Sequence, residues 1–532
     1  MVARPPNIVC IISDDTDFER LGCYGGAAVT PRMDQIAAQG VRFTQAYCTS
    51  AACTPSRFSY LTGVYAGRCT DDLFMADNPP DQPYRVTWNT ALNESIPSLG
   101  HVLRANGYRT GYVGKWHTGH GLDSLGGDVL KPEDDPGDTD ADERLRAVQA
   151  AAVAAVKRAG GFDFAGAIMW GNPDQFPVRA LQYHNLEWMT QQACEFLDSC
   201  ATDEPFMLYV AATVRHGPSH IDSLEQDVGH TQGGWVESLP RFASTHLPPR
   251  ATIYERLAMA GVPVNDFNVG LTWLDDQVGA ILDKLAVLGV ADNTLIIYCT
   301  DHNTEPGKAT CYDRGIRIPW LMAWPGVIEA DTVCEAGVQN IDFVPTVLDA
   351  CGITPPDTMP LDGTSIFPVL YGGVERIHED MYFEFGYTRA VRTDRWKYIA
   401  LRYPADLIAG MQDGSLTEAP NHINQRLQDQ ASIAAVYYPS YFDPDQLFDL
   451  AADPVEQRNL AGDPAYADVL AMMQARLQAY LATFDHPFDL AVPPFMRSPE
   501  YRALADATRA TGTDHIPWYN PDHIGLTFGV DV

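Results

Sequence analysis

Basic side chains are scarce in this 532-residue chain: 36 Lys and Arg stand against 69 Asp and Glu, a formal charge of −33. Nucleic acid is excluded as a partner, because binding phosphates needs a basic face. Any anionic ligand is repelled at long range and has to be captured by a local basic cluster. The eleven cysteines are odd in number, scattered and without CxxC spacing. That leaves neither a disulfide framework nor a zinc site, and Cys10 and Cys299 fall inside apparent core strands. No apolar run is long enough to span a bilayer, and Met1–Pro6 leads straight into a strand without a charged-then-apolar leader. The expectation is a cytoplasmic protein with no membrane partner. GxGxxG and P-loop patterns are missing, as are internal repeats and long low-complexity segments.

What remains is an ordinary globular composition, 46% hydrophobic, long enough for one large α/β domain and a smaller partner. Continuous apolar runs at Asn7–Ser13, Tyr108–Val113, Pro205–Ala212, Asn293–Cys299 and Trp320–Trp324 read as strands buried on both faces. Between them lie amphipathic helices, among them Asn265–Leu288, whose Leu271, Leu274, Val278, Ile281, Leu282 and Leu285 form one stripe. The alternation predicts an α/β fold with a large, mainly parallel sheet sandwiched by helices over residues 1–375. From 376 the texture changes to short strands (Met381–Phe385, Arg389–Thr393, Trp396–Leu401, Gln446–Asp449) and a helix at Ala465–Phe484. Residues 376–532 are therefore expected to form a smaller antiparallel α+β subdomain. The aromatic- and proline-rich stretch 403–440 and the tail beyond Pro487 are read as wrapping segments. They leave a homo-oligomer open.

The chemistry-bearing residues gather at strand exits, where open α/β sheets place ligands. Asp14-Asp15 ends the first strand. The bland reading is an acidic loop with Asp15 capping a turn, but an unshared carboxylate pair is costly unless a cation lies between them. Lys115 and His117 follow the strand at 108–113, and an extended chain would point both the same way. Surface solvation is the plain alternative for that pair. His216 follows the strand at 205–212. Asp301-His302 follows the strand at 293–299, with Lys308 six residues on. Three carboxylates and an imidazole at strand ends make an oxygen-rich site for a hard divalent cation. Trp170, Asn172 and His184 line a pocket or merely pack.

The most specific stretch is Cys53-Thr54-Pro55-Ser56-Arg57, continuing to Leu61-Thr62-Gly63. Pro55 suits a first helical turn and Gly63 a stop. Cys53 is thus expected just outside a helix N-terminus, where free N–H groups favour an anion, with Arg57 one turn in. A lone cysteine here could equally be a small buried hydrophobe.

The eleven-residue stretch resembles the signature of the type I sulfatases of the alkaline-phosphatase superfamily. Gly114-Lys115-Trp116-His117, Phe162-Asp163, the element around His216, Asp301-His302 and Asp453-Pro454-Val455-Glu456 with Asn459-Leu460 are similar to that family's motifs, in its order. The resemblance implies an alkaline-phosphatase-like fold and a sulfate monoester substrate, small-molecule or sugar. It implies that a separate maturation enzyme oxidises Cys53 to formylglycine, whose hydrate attacks sulfur and later expels sulfate. It implies one divalent metal, calcium by family habit with magnesium and manganese also suited, on Asp14, Asp15, Asp301, His302 and residue 53. Arg57, Lys115 and Lys308 are then the fixed positive charges, His216 the proton donor to the leaving alcohol, and His117 the group that steers the hydroxyl. Asn303 departs from the family's Gly, and Asp313-Arg314 from its usual Glu-Gly. A phosphonate monoester or phosphodiester hydrolase using the same machinery is the alternative, and a non-catalytic binding protein a further one.

Overall fold

The structure, a computed structural model, describes residues 4–80, 82–201, 204–239, 246–304, 306–423 and 433–512. Residues 424–432 of the anticipated 403–440 stretch, and the tail from 513 on, lie outside the described residues. β1 (Asn7–Ser13) is buried along its whole length. Ile8, Cys10 and Ile12 enter one core and Val9 and Ile11 another, because successive side chains leave a strand on opposite faces. Each such aliphatic side chain contributes about 1.5–3 kcal/mol on burial.

β1 sits inside an eight-stranded sheet. Its other strands are β2 (Val41–Phe43), β3 (Arg109–Lys115), β4 (Phe164–Met169), β5 (Phe206–Ala211), β6 (Thr294–Thr300), β7 (Trp320–Ala323) and β8 (Thr332–Cys334). Their order is β8-β2-β7-β6-β1-β5-β3-β4. β7 runs antiparallel to both neighbours and the other pairings are parallel. β2 is short, and Ala46–Tyr47 leaves the sheet to pair with Val338–Gln339.

Helices cover both faces. α1 (Pro31–Ala38), α4 (Leu186–Ser199) and α5 (Asp266–Val287) pack on one. α2 (Cys53–Thr62) and α6 (Phe343–Ala350) pack on the other, and α3 (Thr139–Gly160) adds Ala152 and Val156 to that core. Thr30 stands at the N-cap position of α1, but its side chain does not cap the helix. Its Oγ1 instead accepts from the Gly22 N–H at 3.0 Å. Asp275 of α5 caps α1 from outside, accepting from the N–H groups of Arg32 at 3.0 Å and Met33 at 2.8 Å. A carboxyl on a neighbouring helix does the job better than a local hydroxyl, because its oxygens take two of the free N–H groups at once.

The smaller sheet is β9 (Met381–Phe385), β10 (Thr388–Arg392), β11 (Trp396–Leu401) and β12 (Asp445–Asp449), antiparallel and in chain order. α7 (Ala467–Leu481) lays Met473, Leu477 and Leu481 on it. The apolar cluster on the α2 face runs without a break into this sheet. The segments read as wrapping carry helices: Ala405–Asp413 and α8 (Pro499–Gly512). Tyr501 of α8 donates to the Phe442 carbonyl at 2.8 Å and packs with Leu401, Tyr403 and Met411.

The Asp453–Leu460 motif has a structural task. Glu456 accepts from the Asp313 N–H at 2.7 Å. Lys397 Nζ, fully buried on β11, lies 2.7 Å from both Asp313 Oδ1 and Glu456 Oε1. The triad fastens the turn at Asp313 to the small sheet. Lys397→Ala leaves Glu456 buried without its cation and Asp313 with only the more distant Arg392, 3.6 Å away. It should cost about 3–5 kcal/mol of unfolding free energy, read as a lowered urea midpoint. An unchanged midpoint would show that the triad holds nothing.

Candidate active site

The C-terminal ends of β6, β1, β5 and β3 stand side by side, one strand spacing of about 4.8 Å apart. In register Ser13 faces Thr300, so the residues that follow, Asp14 and Asp301, meet across β1 and β6. β5 leads to His216 and β3 ends on Lys115. Beside β1 the chain departs to opposite sides of the sheet, from β5 across to β6 and from β3 out to β4. Such a switch point leaves a crevice outside the strand ends. Asp15 adopts φ +54°, a left-handed turn that Asp tolerates better than most residues. The turn brings its carboxylate to the same mouth as that of Asp14, where a continued strand would have sent it to the opposite face.

Cys53 is the first residue of α2, one position further in than expected, after extended Ala52. The Ser56 N–H donates to the Ala52 carbonyl at 3.1 Å, which starts the helix. The Cys53 Sγ, 1% exposed, lies 3.2 Å from His302 Nε2 and 3.7 Å from Asp14 Oδ1. One ligand atom each from Asp14, Cys53, Asp301 and His302 lies within 4.8 Å of all the others. Asp15 is beside this group rather than in it. Its Oδ1 is 3.1 Å from His302 Nδ1, and that oxygen is buried without a hydrogen-bond partner.

The three cations face the carboxylates. Arg57, fully buried, donates from Nε to Asp301 Oδ2 at 3.0 Å and from a terminal nitrogen to Asp14 Oδ2 at 3.2 Å. Its fork is committed to these two side chains, so it holds the acidic pair in place rather than projecting beyond Cys53. Lys115 Nζ donates to Asp14 Oδ2 and to Asn172 Oδ1. Lys308 Nζ donates to Asp15 Oδ2 at 2.7 Å. Lys115 and His117 are not the extended pair expected from their spacing, because His117 turns the chain at φ +50°.

Burial alone would raise the carboxyls of Asp14 and Asp15, yet Lys115 and Arg57 hold Asp14 far below its ordinary value, and Lys308 does the same for Asp15. His302 is pushed up to about 10: burial opposes its protonation, and the charges of Asp301, Cys53 and Asp15 override that. The cluster therefore demands positive charge at its centre, to the point of holding a proton on a buried imidazole. Together with the orphaned Asp15 oxygen, that makes Asp14, Asp15, Asp301 and His302 a fitting donor set for a divalent cation.

The family model described as Sulfatase matches residues 6–353. The chain belongs to the sulfatase family. A second model, described as N-sulphoglucosamine sulphohydrolase, C-terminal, matches residues 307–436 of this sulfatase. The steryl-sulfatase of Rattus norvegicus is 26% identical, the alignment covering 91% of this chain and 90% of the relative. Arylsulfatase A of Homo sapiens is 28% identical, covering 91% and 89%. Among solved structures, BT4656 in complex with its substrate D-glucosamine-2-N,6-O-disulfate superposes with a TM-score of 0.56 at 18% identity, covering 91% of this chain and 100% of that one.

On the far side of Cys53 the sulfatase carries a polar relay. Asn172 takes Lys115 Nζ on its Oδ1 and donates from Nδ2 to His216 Nε2 at 3.1 Å. His216 donates from Nδ1 to the Gly217 carbonyl at 3.1 Å. Burial, then the Lys308 charge, pushes this imidazole down to about 3, so it rests neutral with a lone pair at Nε2. His117 is also pushed well below its ordinary value, by burial and then by Lys115, and its Nδ1 has no partner. Sequence reading placed Asn172 only in a pocket-lining loop. Its tie to both Lys115 and His216 spans three strands of the sheet and left no local signal. His184, named with it, lies behind the loop carrying His216, bonded to Thr213 Oγ1 at 2.8 Å and the Pro218 carbonyl at 3.1 Å.

Proposed function

We propose that this sulfuric ester hydrolase cleaves a sulfate monoester, small-molecule or sugar, to an alcohol and sulfate, with residue 53 as nucleophile. The observation that carries the reading is the grouping of Asp14, Cys53, Asp301 and His302 within 4.8 Å at the head of α2. A divalent cation on Asp14, Asp15, Asp301 and His302, calcium by preference, supplies Lewis-acid polarisation of a sulfuryl oxygen. Formylglycine at 53, made by a separate maturation enzyme, supplies a hydrated aldehyde as attacking group. Arg57 fixes Asp14 and Asp301 relative to each other, so the donor set is rigid before ligand arrives. Lys115 and Lys308 keep the carboxylates ionised and add positive charge where the sulfate oxygens must sit. In this scheme His216, once protonated, hands a proton to the departing alcohol oxygen, and His117 holds and later removes a proton at residue 53. Eleven free cysteines, seven of them buried, support a reducing, cytoplasmic setting. Among the described residues no helix is long and apolar enough to cross a membrane.

The reaction is tested by measuring sulfate release from 4-nitrophenyl sulfate beside turnover of a phosphonate monoester and a phosphodiester. Sulfate release should dominate, and preferred turnover of a phosphorus ester would overturn the assignment. Exhaustive chelation should abolish turnover and lower Tm. Calcium at about 100 times its Kd should then restore about 2.7 kcal/mol of stability together with activity, ahead of magnesium. Full activity after chelation would remove the metal from the scheme.

A further inference from the structure

A cavity of about 330 Å³ opens beside residue 53, between the loops that carry Trp88, His120 and Trp170. It is at the small end of ligand pockets. Its walls are flat and apolar: Trp88, Trp170, Phe176 and Leu122. Its inner end is polar. Asn172, Gln175 and Gln232 line it together with Thr54 and His117. Thr54 is 3% exposed and adjoins the nucleophile position. No lysine, arginine, aspartate or glutamate lines the cavity among the described residues; the titratable groups on its wall are His117 and His120. His120 is already matched, 2.8 Å from Asp71. Trp170 is held in place by donating from Nε1 to the His120 carbonyl, and Trp88 by an edge-on contact with Phe385 at 5.7 Å.

Resting on the sulfatase reading, we infer that this cavity seats the alcohol half of the substrate, and that this half is a single uncharged ring with a flat apolar face. A ring laid on an indole is held by dispersion and edge-to-face contact. A second anionic group on it would be desolvated with no cation to meet it, in a protein of net charge −33. A polymer, a fused four-ring alcohol or a multiply sulfated sugar is therefore disfavoured. The alcohol's own polar atoms meet neutral polar side chains, among them Gln175 and Gln232.

The test uses two matched pairs on the mature enzyme: 4-nitrophenyl sulfate against its ring-carboxylated analogue, and N-acetylglucosamine 6-sulfate against N-sulfoglucosamine 6-sulfate. In whichever pair is turned over, the neutral member should lead by about tenfold or more in kcat/KM, chiefly through KM. Trp170→Ala and Trp88→Ala should raise KM for the ring ester by about tenfold and leave turnover of methyl sulfate, which has no ring, unchanged. Leu122→Lys should narrow the preference by providing a cation. Equal use of charged and neutral members, or loss of methyl sulfate turnover in both Trp variants, overturns the inference. Quenching of tryptophan fluorescence by phenol against 3-hydroxybenzoate reads the same preference without catalysis. Selective phenol binding with no sulfate ester hydrolysed would sink the sulfatase reading and keep the pocket; hydrolysis without selectivity would do the reverse.

Discussion

Cys53→Ala should abolish sulfate ester turnover, with kcat falling by about 10⁵–10⁶-fold, the scale seen when a nucleophile is deleted. The fold should survive. The side chain is small, its Sγ touches His302 and Asp14, and trimming it should cost about 1 kcal/mol. A circular-dichroism melt separates the two effects. The deciding observation is mass spectrometry of the tryptic peptide 43–57 from the wild-type protein. A mass loss matching conversion of thiol to aldehyde should accompany activity in every active preparation. Fully active protein with an intact thiol would refute the formylglycine scheme and leave a thiolate or a water as nucleophile. The geometry explains why the thiol is a poor substitute. A thiol has one exchangeable proton and no second hydroxyl from which to expel sulfate, so turnover would stop after one transfer.

His216→Ala should lower kcat by about 10²–10⁴-fold on an alkyl or sugar sulfate, the range of general acid catalysis. The loss on 4-nitrophenyl sulfate should be much smaller, because nitrophenolate departs without a proton. That dependence on the leaving group separates proton donation from a packing role, which would reduce both substrates alike. The resting imidazole sits near pKa 3 because it is buried beside Lys308. It is therefore neutral above that pH, and it can take up a proton from water only once the negative charge of bound substrate offsets the lysine. Asn172→Ala tests the relay behind it. Removing the amide frees His216 Nε2 and leaves Lys115 one partner fewer. Activity should fall with the same leaving-group signature, to a smaller extent, since Asn172 orients the imidazole and transfers no proton.

How much of the site is legible in the sequence depends on whether its information is local. The buried strands read as continuous apolar runs, and their exits could be named from sequence, so Asp14, Asp15, Lys115, His216 and Asp301-His302 were candidates from the start. The α2 signature was legible too, since proline, the stop at Gly63 and the helix periodicity are short-range features. The wrapping segments were less so. Aromatic and proline content suggested irregular chain over 403–440 and beyond 487, yet helices form at Ala405–Asp413 and α8 because their apolar sides find Tyr403 and Tyr501 to pack on.

The sequence by itself determined the residue types, their place at strand ends and the helix that presents Cys53, because backbone propensity and burial pattern act over a few residues. Only the tertiary structure decided the strand order β6-β1-β5-β3 that sets Asp301, Asp14, His216 and Lys115 abreast. It also decided that Arg57 clamps the carboxylates, that Asp275 rather than Thr30 caps α1, and that Asn172 joins Lys115 to His216. Each of these is a contact between segments tens to hundreds of residues apart. Competition for a buried charge is settled by whichever partner the packed core brings within about 3 Å, and sequence spacing carries no record of that distance.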